Sequence, residues 1–288
     1  MSDLHERVLQ WYDEHARDLP WREPDATPWA VMVSEFMLQQ TPVSRVLPVF
    51  EQWMATWPTP ADLAAARVGD AVRAWGRLGY PRRALRLHEA ATAIVAEHGG
   101  EVPRSHEALR ALPGVGDYTA AAVASFAFGQ RHAVLDTNVR RVLARVVRGE
   151  ELPPTSLTRA EREAAADLLP GDEGRAAAWA VGVMELGALV CTSSNPRCPS
   201  CPVEDVCAWV QAGRPAYDGP PRRGQTYAGT DRQCRGRLLA VLRDADGPVH
   251  RSRLEAVWAE GAQRARCLAT LVEDGLVVET STETFGLP

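Results

Sequence analysis

Leu112-Pro113-Gly114-Val115-Gly116-Asp117-Tyr118-Thr119-Ala120 leads directly into an alanine-rich helical stretch. Two glycines around one apolar residue allow a tight hairpin between two helices. The first N–H groups of the following helix lack intrahelical partners, and such groups hold an anion such as a DNA phosphate. A bare Gly-x-Gly turn serves equally well as a plain connector. What decides between the two readings is the sequence on either side.

Upstream stands Val33-Ser34-Glu35-Phe36-Met37-Leu38-Gln39-Gln40-Thr41, and downstream Val134-Leu135-Asp136-Thr137-Asn138-Val139-Arg140-Arg141. Glu35 lies among Val31, Val33, Phe36 and Leu38, where burial would hold a proton on it near neutral pH. A plain hydrogen-bonded helix glutamate is the alternative. Asp136 precedes the amphipathic run Val139, Val142, Leu143, Val146 and so reads as an N-cap. The helix dipole at that place would keep it ionised, as a nucleophile or cation stabiliser must be. Apolar spacing of three and four also marks Leu4 to Tyr12 and Val43 to Met54, the latter opened by Thr41 as N-cap with Pro42 at the first helical position. Thr158 and Glu161 form a capping-box pattern. The first 211 residues thus read as all-α.

Cys191-x6-Cys198-x2-Cys201-x5-Cys207 places four thiols within 17 residues, and Pro196, Pro199 and Pro202 keep the segment out of helix. That suits a closed metal site, most simply an iron–sulfur cluster. Structural zinc is the rival, but it usually pairs two Cys-x2-Cys knuckles and this segment has one. Cys234 and Cys267 read as buried apolar residues.

The chain has 288 residues, and its 32 positive side chains are all arginine; there is no lysine. Mechanisms that need a side-chain Schiff base or a P-loop lysine are excluded. The net charge of -5 conceals local contrast. Residues 67–89 carry six arginines against two acids and 131–150 five against two, while 1–40 and 150–190 each carry eight acids against three arginines. Basic stretches can follow phosphates even in an acidic protein. The first residues do not form a signal peptide, and no apolar run reaches the roughly 18 residues of a membrane span. A cytoplasmic, nucleoid-associated protein is the expectation.

Residues 212–231 turn rich in Gly, Pro and Arg and read as a linker. Beyond it, Arg235–Leu242, Ser252–Trp258 (with a Ser252/Glu255 capping box) and Ala262–Asp274 read as short helices, and 275–280 with 284–287 as a two-stranded hairpin. That order suggests a winged-helix-like α+β module.

Taken together, the Gly-Val-Gly hairpin, Glu35 in its segment, the downstream Asp136 and the cysteine spacing resemble the helix-hairpin-helix DNA glycosylases of the endonuclease III superfamily, in particular their MutY-type adenine glycosylases. Trp11-Tyr12, Leu19-Pro20-Trp21, Leu78-Gly79-Tyr80 and Glu185-Leu186-Gly187-Ala188 match in order, over about residues 5–210. The resemblance implies a two-lobed all-α core, with 1–22 and 131–211 as the iron–sulfur lobe and 23–130 as the helical lobe with the hairpin. The linker 212–231 and the module 232–288 follow. Glu35 and Asp136 would then face each other across the cleft between the lobes.

By the same resemblance, Glu35 protonates adenine, Asp136 stabilises the sugar cation, and Tyr118 and Asn138 support that cation and Asp136. Arg17, Leu19 and Trp21 line the adenine pocket, with simple core packing the alternative for the last two. Tyr80 wedges into the duplex, and Gln39 and Gln40 lie near the lesion. Gly114 and Gly116 shape the phosphate-binding hairpin, and Arg197 meets phosphate. Cys191, Cys198, Cys201 and Cys207 hold a [4Fe–4S] cluster.

Related bifunctional enzymes carry their Schiff-base lysine where this chain has Tyr118, which implies a monofunctional hydrolase. Its partner is double-stranded DNA with an A:8-oxoguanine or A:G mismatch, acted on by a monomer and followed by an abasic-site endonuclease. Two departures stand out. Val181 replaces the family's frequent Glu or Gln ten residues before the first cysteine, and 232–288 replaces a Nudix-like lesion-reading domain. The rival functions are a thymine or uracil mismatch glycosylase on the same scaffold and a non-catalytic iron–sulfur DNA-binding protein.

Overall fold

The structure, a computed structural model, describes residues 2–220 and 227–288. Its helices are α1 (Ser2–His15), α2 (Pro28–Leu38), α3 (Val43–Thr56), α4 (Pro60–Ala65), α5 (Val68–Ala74), α6 (Arg82–His98), α7 (His106–Ala111) and α8 (Asp117–Phe128). Then come α9 (Thr137–Leu143), α10 (Arg159–Asp167), α11 (Glu173–Leu189), α12 (Ala208–Gln211), α13 (Asp231–Arg243), α14 (Arg251–Glu255) and α15 (Gly261–Glu273). Strands β1 (Val249–His250), β2 (Val278–Ser281) and β3 (Thr284–Gly286) lie in the last forty residues. Among the described residues no strand precedes 249, as the helical periodicity requires. No described helix is long and apolar enough to cross a membrane.

Local capping chemistry sets several boundaries. Thr158 and Glu161 cap α10 reciprocally, and the Asp136 carboxylate accepts from Val139 N at the start of α9. Two expected caps differ. Pro42, not Thr41, is the N-cap of α3, because the Thr41 hydroxyl instead donates to Leu78 O at 3.1 Å. Ser252 does not cap α14; the His250 side chain accepts from Ser252 N and starts the helix two residues earlier.

The chain packs as two compact units. One gathers Met1–Val31, Arg104–Ala111 and Val115–Pro221. Its core joins Val8 and Trp11 of α1, Val139 and Val142 of α9, and Trp179, Val183 and Leu186 of α11. Gly187 permits that packing, since a Cβ there would lie 2.7 Å from the Asn138 Cβ. α9 continues into a π turn, Ala144–Arg148, closed by Gly149 in the left-handed region.

The other unit gathers Met32–Pro103, Leu112–Gly114 and Arg222–Pro288. Trp53 meets Trp57 and Trp75 edge-on, at 4.7 and 5.7 Å between ring centroids. α13 packs on α15, and the sheet has the order β1-β3-β2, antiparallel throughout, with Val249 opposite Phe285 and Val278 opposite Gly286. β1 completes the expected two-stranded hairpin to three strands; two residues are too short for alternation to show in sequence. The grouping departs from the expected division in placing α7 and α8 with the cysteine-bearing unit and 232–288 with the helices of 32–103. Of the expected linker, 221–226 lies outside the described residues.

Candidate active site

Asp136 sits at the N-terminus of α9, where Val139 N donates to Oδ1 at 2.6 Å and Asn138 Nδ2 to Oδ2 at 2.8 Å. Burial pushes its pKa up, and these hydrogen bonds together with the nearby Arg141 guanidinium offset part of the rise. Desolvation outweighs the helix-end position and the hydrogen bonds in setting the direction of that shift. Asn138 is in turn fixed by Arg141, whose Nη2 donates to Asn138 Oδ1 at 2.9 Å and to Gly187 O at 2.7 Å, while its Nε donates to Cys191 O at 2.7 Å. One buried guanidinium thus ties the aspartate's support to the start of the cysteine segment.

The four cysteines of that segment line one cavity together with Val142, Arg145, Leu186 and Trp209. All are free thiols. Burial pushes the Cys201 thiol up to about 12, reinforced by the other three cysteines, and also raises Cys207. Thiols in such surroundings ionise only against strong positive charge. Among the described residues, no three His, Cys, Asp or Glu side chains are gathered tightly enough to ligate a single ion. Arg145, 1% exposed, donates from Nη1 to Thr192 O at 2.7 Å and approaches Cys191 Sγ at 3.4 Å. Its guanidinium also stacks over Trp209 at 4.7 Å. Arg197 is exposed at the turn before Cys198, with one guanidinium nitrogen on Leu189 O.

In the other unit Glu35 lies on α2 and is 5% exposed. Sequence reasoning missed the residue that organises its surroundings, Arg83. This buried arginine donates from Nη1 to Phe36 O (2.8 Å), Met37 O (3.1 Å) and Gln39 O (2.6 Å). Its Nη2 donates to Thr41 Oγ1 and Gly79 O, both at 3.0 Å. The guanidinium thereby takes up carbonyls at the end of α2 and in the Leu78-Gly79-Tyr80 turn. Burial lowers its pKa to about 10, so it stays charged at neutral pH. The two segments it joins hold Gln40 at φ +55° and Tyr80 at φ +46°, both left-handed and neither glycine. Such strain persists only where surrounding bonds over-determine it. Tyr80 remains 45% exposed, while Gln39 is half-buried.

Leu19 and Trp21 are buried. Arg17 forms a two-pronged pair with Glu185, both bonds at 2.7 Å, and Arg22 adds a third at 2.9 Å. Burial opposes ionisation of Glu185, but the bonds and charges of Arg17 and Arg22 prevail and hold its pKa at about 2. Val181 lies one helical turn before Glu185 on α11 and is half-buried. Tyr118, in the first turn of α8, packs against Ala121, Ala122, Val134 and Ala180 with Phe126 and Met184.

At the hairpin Gly114 has φ +77°, and a Cβ there would lie 2.6 Å from the Arg86 Cβ. Both its conformation and its neighbours require glycine. Gly116 is the N-cap of α8 and supplies no side-chain cap to the helix's first N–H groups.

Residues 33–166 match the profile described as HhH-GPD superfamily base excision DNA repair protein. The chain is 54% identical over 283 residues to the adenine DNA glycosylase of Mycobacterium tuberculosis (strain CDC 1551 / Oshkosh), covering 98% of this chain and 92% of the relative. Against that of Mycolicibacterium smegmatis it is 51% identical, covering 100% and 97%. Among solved structures it is similar to a thermostable thymine-DNA glycosylase, with a TM-score of 0.65 and 28% identity over 73% of this chain and 95% of that one. With half its residues shared with adenine DNA glycosylases along nearly its whole length, the chain belongs to the HhH-GPD superfamily of base excision DNA repair proteins and, within it, to the adenine DNA glycosylase family, which are hydrolases.

Proposed function

We propose that this chain excises adenine paired with 8-oxoguanine or guanine from duplex DNA, as a monofunctional glycosylase. The observation that carries the reading is a buried glutamate, Glu35, in one unit and a half-buried, desolvated aspartate, Asp136, in the other, in a chain without lysine. Glu35 donates its proton to the adenine ring, so that the base leaves as a neutral group. Asp136, steadied by Asn138 and Val139 N, stabilises the positive charge that develops on the sugar, as stabiliser or transient covalent partner, and water completes the hydrolysis. With Tyr118 at the hairpin and no amine on any side chain, the product is an abasic site in an intact strand. An abasic-site endonuclease must then follow.

Tyr80 enters the duplex while the adenine is extruded, with Gln39 and Gln40 beside it. Leu19, Trp21 and Arg17 border the adenine, Val181 adding an apolar wall. Gly114, Gly116 and Arg197 meet phosphate. Cys191, Cys198, Cys201 and Cys207 would hold a [4Fe–4S] cluster. The donor set supports this, since four reduced thiols line one cavity. When bound, the cluster supplies four iron–thiolate bonds that staple the loop and takes no part in base release. The α13-β1-α14-α15-β2-β3 order supports a winged-helix module after 231. A monomer in the cytoplasm, at the nucleoid, fits a DNA-repair hydrolase with no membrane-spanning helix among its described residues.

The test is base release from A:8-oxoguanine, A:G and T:G duplexes, with strand cleavage scored before and after hot alkali. Adenine release from the first two, with breaks after alkali alone, is expected. Glu35→Gln should lower the single-turnover rate by about 100-fold or more. A wild-type rate in that variant would refute the proton-transfer role, and preferential release of thymine from T:G would favour the thymine glycosylase reading, for which the 28% likeness is the supporting observation.

A further inference from the structure

Tyr227 stands four residues before the start of α13, its carbonyl held by Thr230 Oγ1 at 2.7 Å. Its ring is 50% exposed. The guanidinium of Arg232, on the first turn of α13, lies 5.2 Å from that ring's centroid. Its Nη1 donates to the hydroxyl of Tyr80 at 3.5 Å. Tyr80, Arg232 and Tyr227 thus form one exposed strip, tyrosine–guanidinium–tyrosine.

The charge of Arg232 is not consumed locally. Neighbouring Asp231 is engaged by Arg266 and Gln263, both at 2.9 Å, and Asp274 by Arg235 and by Arg82, the latter at 3.3 Å. Among the described residues Arg232 has no carboxylate partner. The strip is also held in place, because the module carrying Arg232 is locked to the helix before Tyr80. Arg73 of α5 donates to Arg243 O and, at 2.8 Å, to Ala245 O. Arg243 in return donates to Gly76 O and, at 2.9 Å, to Val72 O.

We infer that the C-terminal module binds DNA through Arg232 and Tyr227, next to Tyr80. Arg232 meets a phosphate, and the Tyr227 ring offers a stacking face to a base loosened from the duplex. Exposed aromatic faces interleaved with a guanidinium that has no carboxylate partner among the described residues match nucleic acid, where every base has a π face and every linkage a negative charge. The inference rests on the reading of Tyr80 as the wedge.

The test is fluorescence anisotropy with the full chain on undamaged and A:8-oxoguanine duplexes at several salt concentrations. Arg232→Ala should weaken binding about tenfold and flatten the salt slope by about one. Tyr227→Ala should weaken it about tenfold without changing the slope, and Tyr227→Phe should restore it. Arg253→Ala, which removes an exposed arginine from α14, should bind like wild type. Wild-type affinity in both Arg232→Ala and Tyr227→Ala, while Tyr80→Ala loses affinity, overturns the inference and makes a protein partner the use of the strip. Wild-type affinity in Tyr80→Ala as well overturns the wedge reading itself. Equal loss in Arg253→Ala overturns the site in favour of bulk charge.

Discussion

Asp136 is held by competing effects at one side chain. Two hydrogen bonds and the helix start favour its charge, and burial opposes it more strongly, so its pKa rises. For an acid, a raised folded-state pKa means that the ionised form costs stability at neutral pH, a cost relieved as pH falls through that pKa. Asp136→Asn keeps a good N-cap and removes the desolvated charge. We expect its urea midpoint at pH 7 to exceed that of the wild type while base release falls about 100-fold or more. A midpoint below wild type would show that the hydrogen bonds, not burial, dominate.

Between elements, the reciprocal pairing of Arg73 with the end of α13 and Arg243 with the end of α5 does what a C-cap does, across two helices at once. Burial lowers the Arg243 pKa to about 10, still well above neutral, so its donors face carbonyls as a cation. Gly69 adds a main-chain bond, N to Pro288 O at 2.7 Å, and a Cβ there would collide with that oxygen. Arg243→Met should lower amide-exchange protection in α13 and α15 by about 2–3 kcal/mol, the worth of charge-assisted hydrogen bonds, and leave α9 and α11 unchanged. Unchanged protection in α13 would mean that apolar packing alone holds the module.

For the molecule as a whole, acid stability centres on Glu185. Its folded pKa of about 2 lies below the ordinary glutamate value, so its contribution is complete above about pH 5 and is lost as pH falls toward 2. The difference corresponds to about 3 kcal/mol. Glu185→Gln should therefore be less stable than wild type by roughly that amount at pH 7, with Arg17 and Arg22 left unpaired. The gap should narrow between pH 5 and 2 in urea titrations; a constant gap would assign the loss to packing.

The sequence by itself determined what is local. Cysteine spacing, the Gly114 turn, the N-cap at Asp136 and the helical periodicity each depend on neighbours within a few residues, and each was legible. The burial of Glu35 was legible through its apolar surroundings. Tertiary structure alone decided which arginines matter. Arg83, Arg141, Arg145 and Arg243 look like any of the 32 in the sequence, yet their carbonyl partners lie as far as 171 residues away. The cap expected at Thr41 differs for the same reason, because a distant carbonyl takes its hydroxyl, whereas at Ser252 the imidazole two residues earlier takes the cap. A guanidinium's role is fixed by which orphaned carbonyls the fold brings to it, and that is settled only when the helix ends meet.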